Sequence, residues 1–163
     1  MVGTSLVPLS ALAALDPELY ARSAARYSDR PGIMQRRVEP LDCAWSDCVF
    51  LSPVHPSILC DAVRSARPDW PQREWFEIDA ATLDPGRAVL FRPSAWTSEV
   101  PPSVTADQCE AFTISALRRA SEPSSVTIGR LRDPANRLPL WADVMHVLYR
   151  GSIDVSNARV IVA

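Results

Sequence analysis

The side chains best equipped for chemistry in this chain are its two histidines, His55 and His146. An imidazole titrates near neutral pH, so two of them meeting in one cleft would be candidate acid/base groups. Each also has a plainer reading. His55 stands directly before Pro56 and reads as the residue that opens a helix. His146 lies in the apolar run 141–149, where strand alternation would put it on one face with Ala142, Val144 and Leu148. In that setting it reads as a hydrogen-bonded core histidine. Asp143 falls on the opposite face, with Trp141, Met145 and Tyr149, an unusual place for a carboxylate and so a candidate site.

The cysteines supply a second constellation. Cys43, Cys48, His55 and Cys60 form a C-x4-C-x6-H-x4-C string, formally four zinc ligands. The string contains no C-x2-C knuckle, Cys48 begins the apolar run Cys48-Val49-Phe50-Leu51, and Cys60 sits on the apolar face of an expected helix. Buried free thiols explain those positions more simply than a metal does. Cys109 is the fourth cysteine.

All basic residues are Arg, so no lysine is available as a Schiff-base or general-base group. Arg22, Arg26 and Arg30 recur four apart and would share one helical face, read as a solvated face before a phosphate-facing stripe. Arg36 and Arg37 lie together in the loop expected over 29–40. The net charge of -2 creates no global field that would draw the chain to nucleic acid or to an anionic membrane. There is no glycine-rich phosphate loop, no G-x-S-x-G elbow, no H-E-x-x-H and no RNA-binding aromatic signature. The apolar run 6–15 is broken by Pro8 and Ser10, too short to span a bilayer and without a basic flank. A cytoplasmic location is the expectation.

These groups need a scaffold, and 163 residues suffice for one domain with its own core. Fifteen prolines against five glycines predict many stiff turns and short elements. Asp16-Pro17-Glu18 announces a helix running to about Tyr27, with Asp as cap and Pro in the first turn. Residues 48–51, 74–78 and 88–91 read as strands. Ile58, Leu59, Ala62, Val63 and Ala66 mark a helix that Arg67-Pro68 ends. Thr105 and Gln108 form a capping box, predicting a helix that carries Cys109, Phe112, Ala116, Leu117 and Ala120 on one side. Residues 125–128 and 141–149 are expected as strands, a turn falls at Arg150-Gly151, and 160–162 is a final strand. No regular strand–helix alternation appears. The expected fold is α+β, one domain over 1–163, with a mixed or antiparallel sheet, whole or split, flanked by short helices.

Three stretches resemble, in order, the DNA-targeting ADP-ribosyltransferase toxins of the DarT type. Residues 42–63, DCAWSDCVFLSPVHPSILCDAV, are similar to a segment in which a loop leads into an apolar strand ending in Pro and then a short helix. Residues 75–91, WFEIDAATLDPGRAVLF, resemble the strand, turn and strand that follow. Residues 140–162, LWADVMHVLYRGSIDVSNARVIV, resemble the closing section. The resemblance implies a split, mixed-sheet fold, NAD as cofactor, and a nucleic acid or small molecule as substrate. At the position of the family's catalytic Glu this chain has Asp143 or, with a small shift, His146. Arg36 or Arg37 would take the role of the catalytic Arg, binding the diphosphate. The family's first strand carries a histidine, and residues 4–8 here carry none. The alternatives are a non-enzymatic partner of a co-encoded protein, such as an antitoxin, an immunity protein or an accessory subunit, and a small metal-dependent enzyme built on the Cys/His string.

Overall fold

The centre of the molecule is a strand buried on both faces. In a computed structural model that describes residues 1–93 and 101–163, this strand, β9, is His146–Arg150. Its Val147, Leu148 and Tyr149 are all buried. That run of consecutive apolar residues is what a strand covered on both faces requires. On one side β9 pairs antiparallel with β4 (Cys48–Leu51), on the other with β6 (Ala88–Phe91). A fourth antiparallel strand, β8 (Cys109–Ala111), extends the sheet beyond β6, giving the order β4-β9-β6-β8.

Alternation along these strands sorts the core into two layers. Val49, Leu90, Val147 and Tyr149 face Phe112, Ala116 and Ala120, contributed by the end of β8 and by helix α4 (Ile114–Ala120). Cys48, Val89, Phe91 and Leu148 face Val38, Leu41 and Val104 on the other side. Leu90 and Leu148 are fully buried, and each such leucine contributes roughly 1.5–3 kcal/mol relative to exposure. A third cluster joins helix α3 (Pro56–Ala66) to helix α5 (Ser125–Leu131) through Leu59, Val63, Leu131 and Val144.

Smaller sheets surround this core. β2 (Arg37–Val38) pairs antiparallel with β3 (Cys43–Ala44) and parallel with β7 (Ser103–Val104). β5 (Glu74–Glu77) pairs antiparallel with β11 (Arg159–Val162), and β1 (Ser5–Leu6) with β10 (Ile153–Asp154). The fold is α+β with a divided, mostly antiparallel sheet. No helix among the described residues is long and apolar enough to cross a membrane.

Local signals placed many elements correctly. The Asp16 carboxylate accepts from Leu19 N–H at 2.9 Å and starts α2 (Pro17–Ala24), which passes into a 3-10 turn through Tyr27. The expected turn at Arg150-Gly151 is present. Gly151 has φ +90°, a conformation that side-chain-bearing residues rarely adopt, and this is what favours glycine there.

Three expectations fail. The Thr105/Gln108 box caps only a 3-10 turn, Ala106–Gln108. The chain then extends as β8, because Cys109, Glu110 and Ala111 find ladder partners in Phe91, Leu90 and Val89. A new cap, Thr113 accepting from Ala116 N–H at 3.2 Å, starts the helix afresh at Ile114. Residues 125–128 are helical, since Ser124 caps them and the 3.6-residue period buries Thr127 and Leu131. The strand expected over 141–149 begins only at His146, because 141–145 form turns packed on α3 and α5. Trp96 and the middle of the proline-rich loop lie outside the described residues.

Candidate functional site

A pocket of about 690 Å³ opens where β4 ends and β9 begins. Its walls come from the segment 50–56, from β5, from α4 and from the turn carrying Trp141. Both histidines line it. The fold therefore brings together the two imidazoles that the sequence offers as acid/base candidates.

Their chemistry differs from the expectation. His55 is exposed and is the N-cap of α3. Its Nδ1 accepts from Ser57 N–H at 3.3 Å and lies 2.7 Å from Ser57 Oγ. A ring nitrogen that accepts carries no proton, so the neutral ring bears its proton on Nε2. Nε2 is thus the hydrogen-bond donor of this pocket-lining residue, while Nδ1 is engaged in the cap. The first turn of α3 leaves little for an anion. Pro56 has no N–H, Ser57 donates to the ring, and Ile58 donates to the His55 carbonyl at 3.2 Å.

His146 opens β9 opposite Phe91. Burial pushes its pKa down to about 4, because the charged ring would lose its water without gaining a partner. The expected core hydrogen bond is absent: among the described residues its ring has no hydrogen-bond partner. At neutral pH it is a neutral, weakly basic ring.

The remaining expected residues lie elsewhere. Asp143 is tied to Arg130 of α5 and does not line the pocket. The segment around it is turn, so the strand alternation that would have set it beside Trp141 and Met145 does not operate. Arg36 is buried on the far side of the sheet. Its guanidinium lies 5.4 Å from the Trp45 ring and 5.7 Å from the Phe91 ring, and its Nη2 donates to the Ser103 carbonyl at 3.0 Å. Burial lowers its pKa. Arg37 is exposed and pairs with Asp42.

The cysteine–histidine string is not assembled. Among the described residues, no group of three His, Cys, Asp or Glu side chains is placed to hold a metal ion. Cys60 is buried in the α3–α5 layer, and His55 is turned to Ser57.

The pocket holds charged groups that sequence reasoning missed. Glu74 of β5 and Arg118 of α4 line it, and neither side chain has a hydrogen-bond or ion-pair partner among the described residues. Glu77 also lines it but pairs with Arg159 Nη2 at 2.5 Å. Trp75 and Trp141 meet edge-to-face at 5.4 Å on the pocket wall. The Trp75 Nε1–H is out of contact with solvent and lacks an acceptor among the described residues. Glu74 and Arg118 are far apart in sequence and belong to no motif; only their place on the walls of one pocket marks them. Compared with known protein families, curated protein sequences and solved structures, the chain matches none of them.

Proposed function

We propose that this pocket binds a ligand with a flat aromatic part and an anionic part, NAD being the first candidate, and that the chain acts as an ADP-ribosyltransferase-like enzyme. One observation carries the reading: a carboxylate, Glu74, and a guanidinium, Arg118, both without a partner among the described residues, share a pocket walled by two tryptophans. Cleavage of the bond between nicotinamide and ribose develops positive charge on the sugar. A carboxylate placed there stabilises that charge, and a cation holds the diphosphate. Glu74 takes the role that the family resemblance offers to Asp143, and Arg118 that of Arg36 or Arg37. His55 donates through Nε2. Neither imidazole is the base: one is capping a helix and the other is desolvated.

The test is thermal unfolding with added NAD, together with an assay of nicotinamide release. A ligand that binds the folded state raises the unfolding temperature, with about 2.7 kcal/mol of stabilisation at a hundredfold excess over Kd. Arg118→Met should abolish the shift. Glu74→Gln should retain the shift and lose nicotinamide release. Absence of any shift with millimolar NAD or ADP-ribose would end the reading.

A second reading rests on a different observation. Phe76 and Val160 are cross-strand partners, and with Val162 they are 39%, 52% and 62% exposed. Such a face suits a protein partner. Under that reading a Val160→Ser/Val162→Ser variant, at positions outside the pocket lining, loses a co-purifying partner and keeps its response to NAD.

A further inference from the structure

We propose that Cys43 and Cys48 form a thiol-oxidation site that closes to an intramolecular disulfide. Their Sγ atoms lie 3.6 Å apart. Between the two residues the chain makes a single 3-10 turn, Trp45–Asp47, pinned by Ala44 N–H donating to the Asp47 carboxylate at 2.9 Å. That turn directs both thiols to the same side. A disulfide needs about 2.05 Å between sulfurs, so a small side-chain rotation closes the gap. Neither Cys60 nor Cys109 makes a thiol–thiol contact among the described residues.

Accessibility assigns the order of events. Cys43 is half-buried, whereas Cys48 is 3% exposed. A peroxide reaches Cys43 first. The Cys43 thiolate displaces hydroxide from hydrogen peroxide and becomes a sulfenic acid; the hydroxide takes up the thiol proton and leaves as water. The Cys48 thiol then attacks the sulfenyl sulfur, forming the S–S bond and releasing a second water. Two thiols are oxidised by two electrons and one peroxide is reduced. Burial holds both thiols above their ordinary pKa, which slows the first step at neutral pH and makes it faster as pH rises.

The bond would join two parts of the fold. Cys43 belongs to β3 and Cys48 to β4, which lie in separate sheets. Between them Trp45 packs on Phe50 at 4.5 Å and on Phe91 at 5.7 Å. Oxidation therefore clamps the segment that covers this face of the central sheet.

The experiment treats the folded chain with hydrogen peroxide, alkylates remaining thiols after denaturation, and measures intact mass and peptides. The expected product has lost about 2 Da before alkylation and carries alkyl groups on Cys60 and Cys109 alone. Cleavage at aspartate cuts between Cys43 and Cys48, so the bond holds the two fragments together. Cys60→Ser should behave as the parent, and Cys43→Ser should lose the cross-link. Four alkylated thiols after peroxide, a bond to Cys60 or Cys109, a bond between chains, or Cys43 oxidised beyond sulfenic acid with Cys48 free would each overturn the proposal.

Discussion

Arg130 of α5 donates through Nε to the carboxylate of Asp143, in the turn before β9. The acid that the sequence offers as a catalytic group therefore anchors a helix. The Arg130 side chain is only 14% exposed, and its Nη2 is buried without a partner among the described residues, so it depends on this contact. Asp143→Asn should cost about 1–3 kcal/mol in denaturant unfolding, the penalty of leaving a partly buried charge incompletely paired. Its response to NAD should match the parent. A variant of full stability that has lost that response would return Asp143 to the site.

His146 sets a pH dependence. Its folded pKa of about 4 lies below the ordinary 6.5. Between those values the unfolded chain binds a proton that the folded chain refuses. Stability is then fully present above about pH 6.5 and declines as pH falls toward 4. The loss should be on the order of 2–3 kcal/mol. The lowered carboxylates Asp154 and Glu110 contribute at more acidic pH. Unfolding curves at pH 7.5 and 5 should diverge for the parent and nearly coincide for His146→Gln. Equal slopes in the two proteins would refute the assignment.

Arg36 tests whether a buried cation is structural. It is 7% exposed, rests against Trp45 and Phe91, and has no carboxylate partner among the described residues. Arg36→Ala should lose about 2–4 kcal/mol by opening a cavity in that layer. Arg36→Met, which refills the volume without burying a charge, should stay within about 1 kcal/mol of the parent. Both should keep the NAD-induced shift. Loss of that shift in a stable Arg36→Met protein would instead make Arg36 a ligand-binding residue, as the family resemblance suggests.

His55 separates capping from catalysis. Replacing it by Ala removes the acceptor for Ser57 N–H and should cost about 0.5–2 kcal/mol. His55→Asn restores an N-cap acceptor and should recover most of that stability. If His55 also donates to the ligand, nicotinamide release in the Asn variant should remain depressed after stability has returned. Full recovery of both would leave it a cap alone.

Much of the architecture was legible because it is written in short-range chemistry. Asp16-Pro17, His55-Pro56, the apolar runs 48–51 and 88–91 and the turn at Gly151 are each decided by neighbours in the chain: caps, fixed φ angles and the need for positive φ. Cys109, Ser125 and Trp141 were misplaced for the opposite reason. Their local patterns suit more than one state, and partners distant in the chain, Phe91 for Cys109 and the α3 face for α5, decided between them. The sequence by itself also determined which chemistry is available: two imidazoles, four thiols, guanidinium as the cationic side chain and no phosphate loop. Tertiary structure alone decided which of those groups meet. It put His55 and His146 on the walls of one pocket, bound Asp143 to Arg130, set Arg36 against the Trp45 and Phe91 rings, and placed Glu74 of β5 and Arg118 of α4 in that same pocket. Such meetings depend on how sheets and helices pack across long stretches of chain, and no local spacing encodes them.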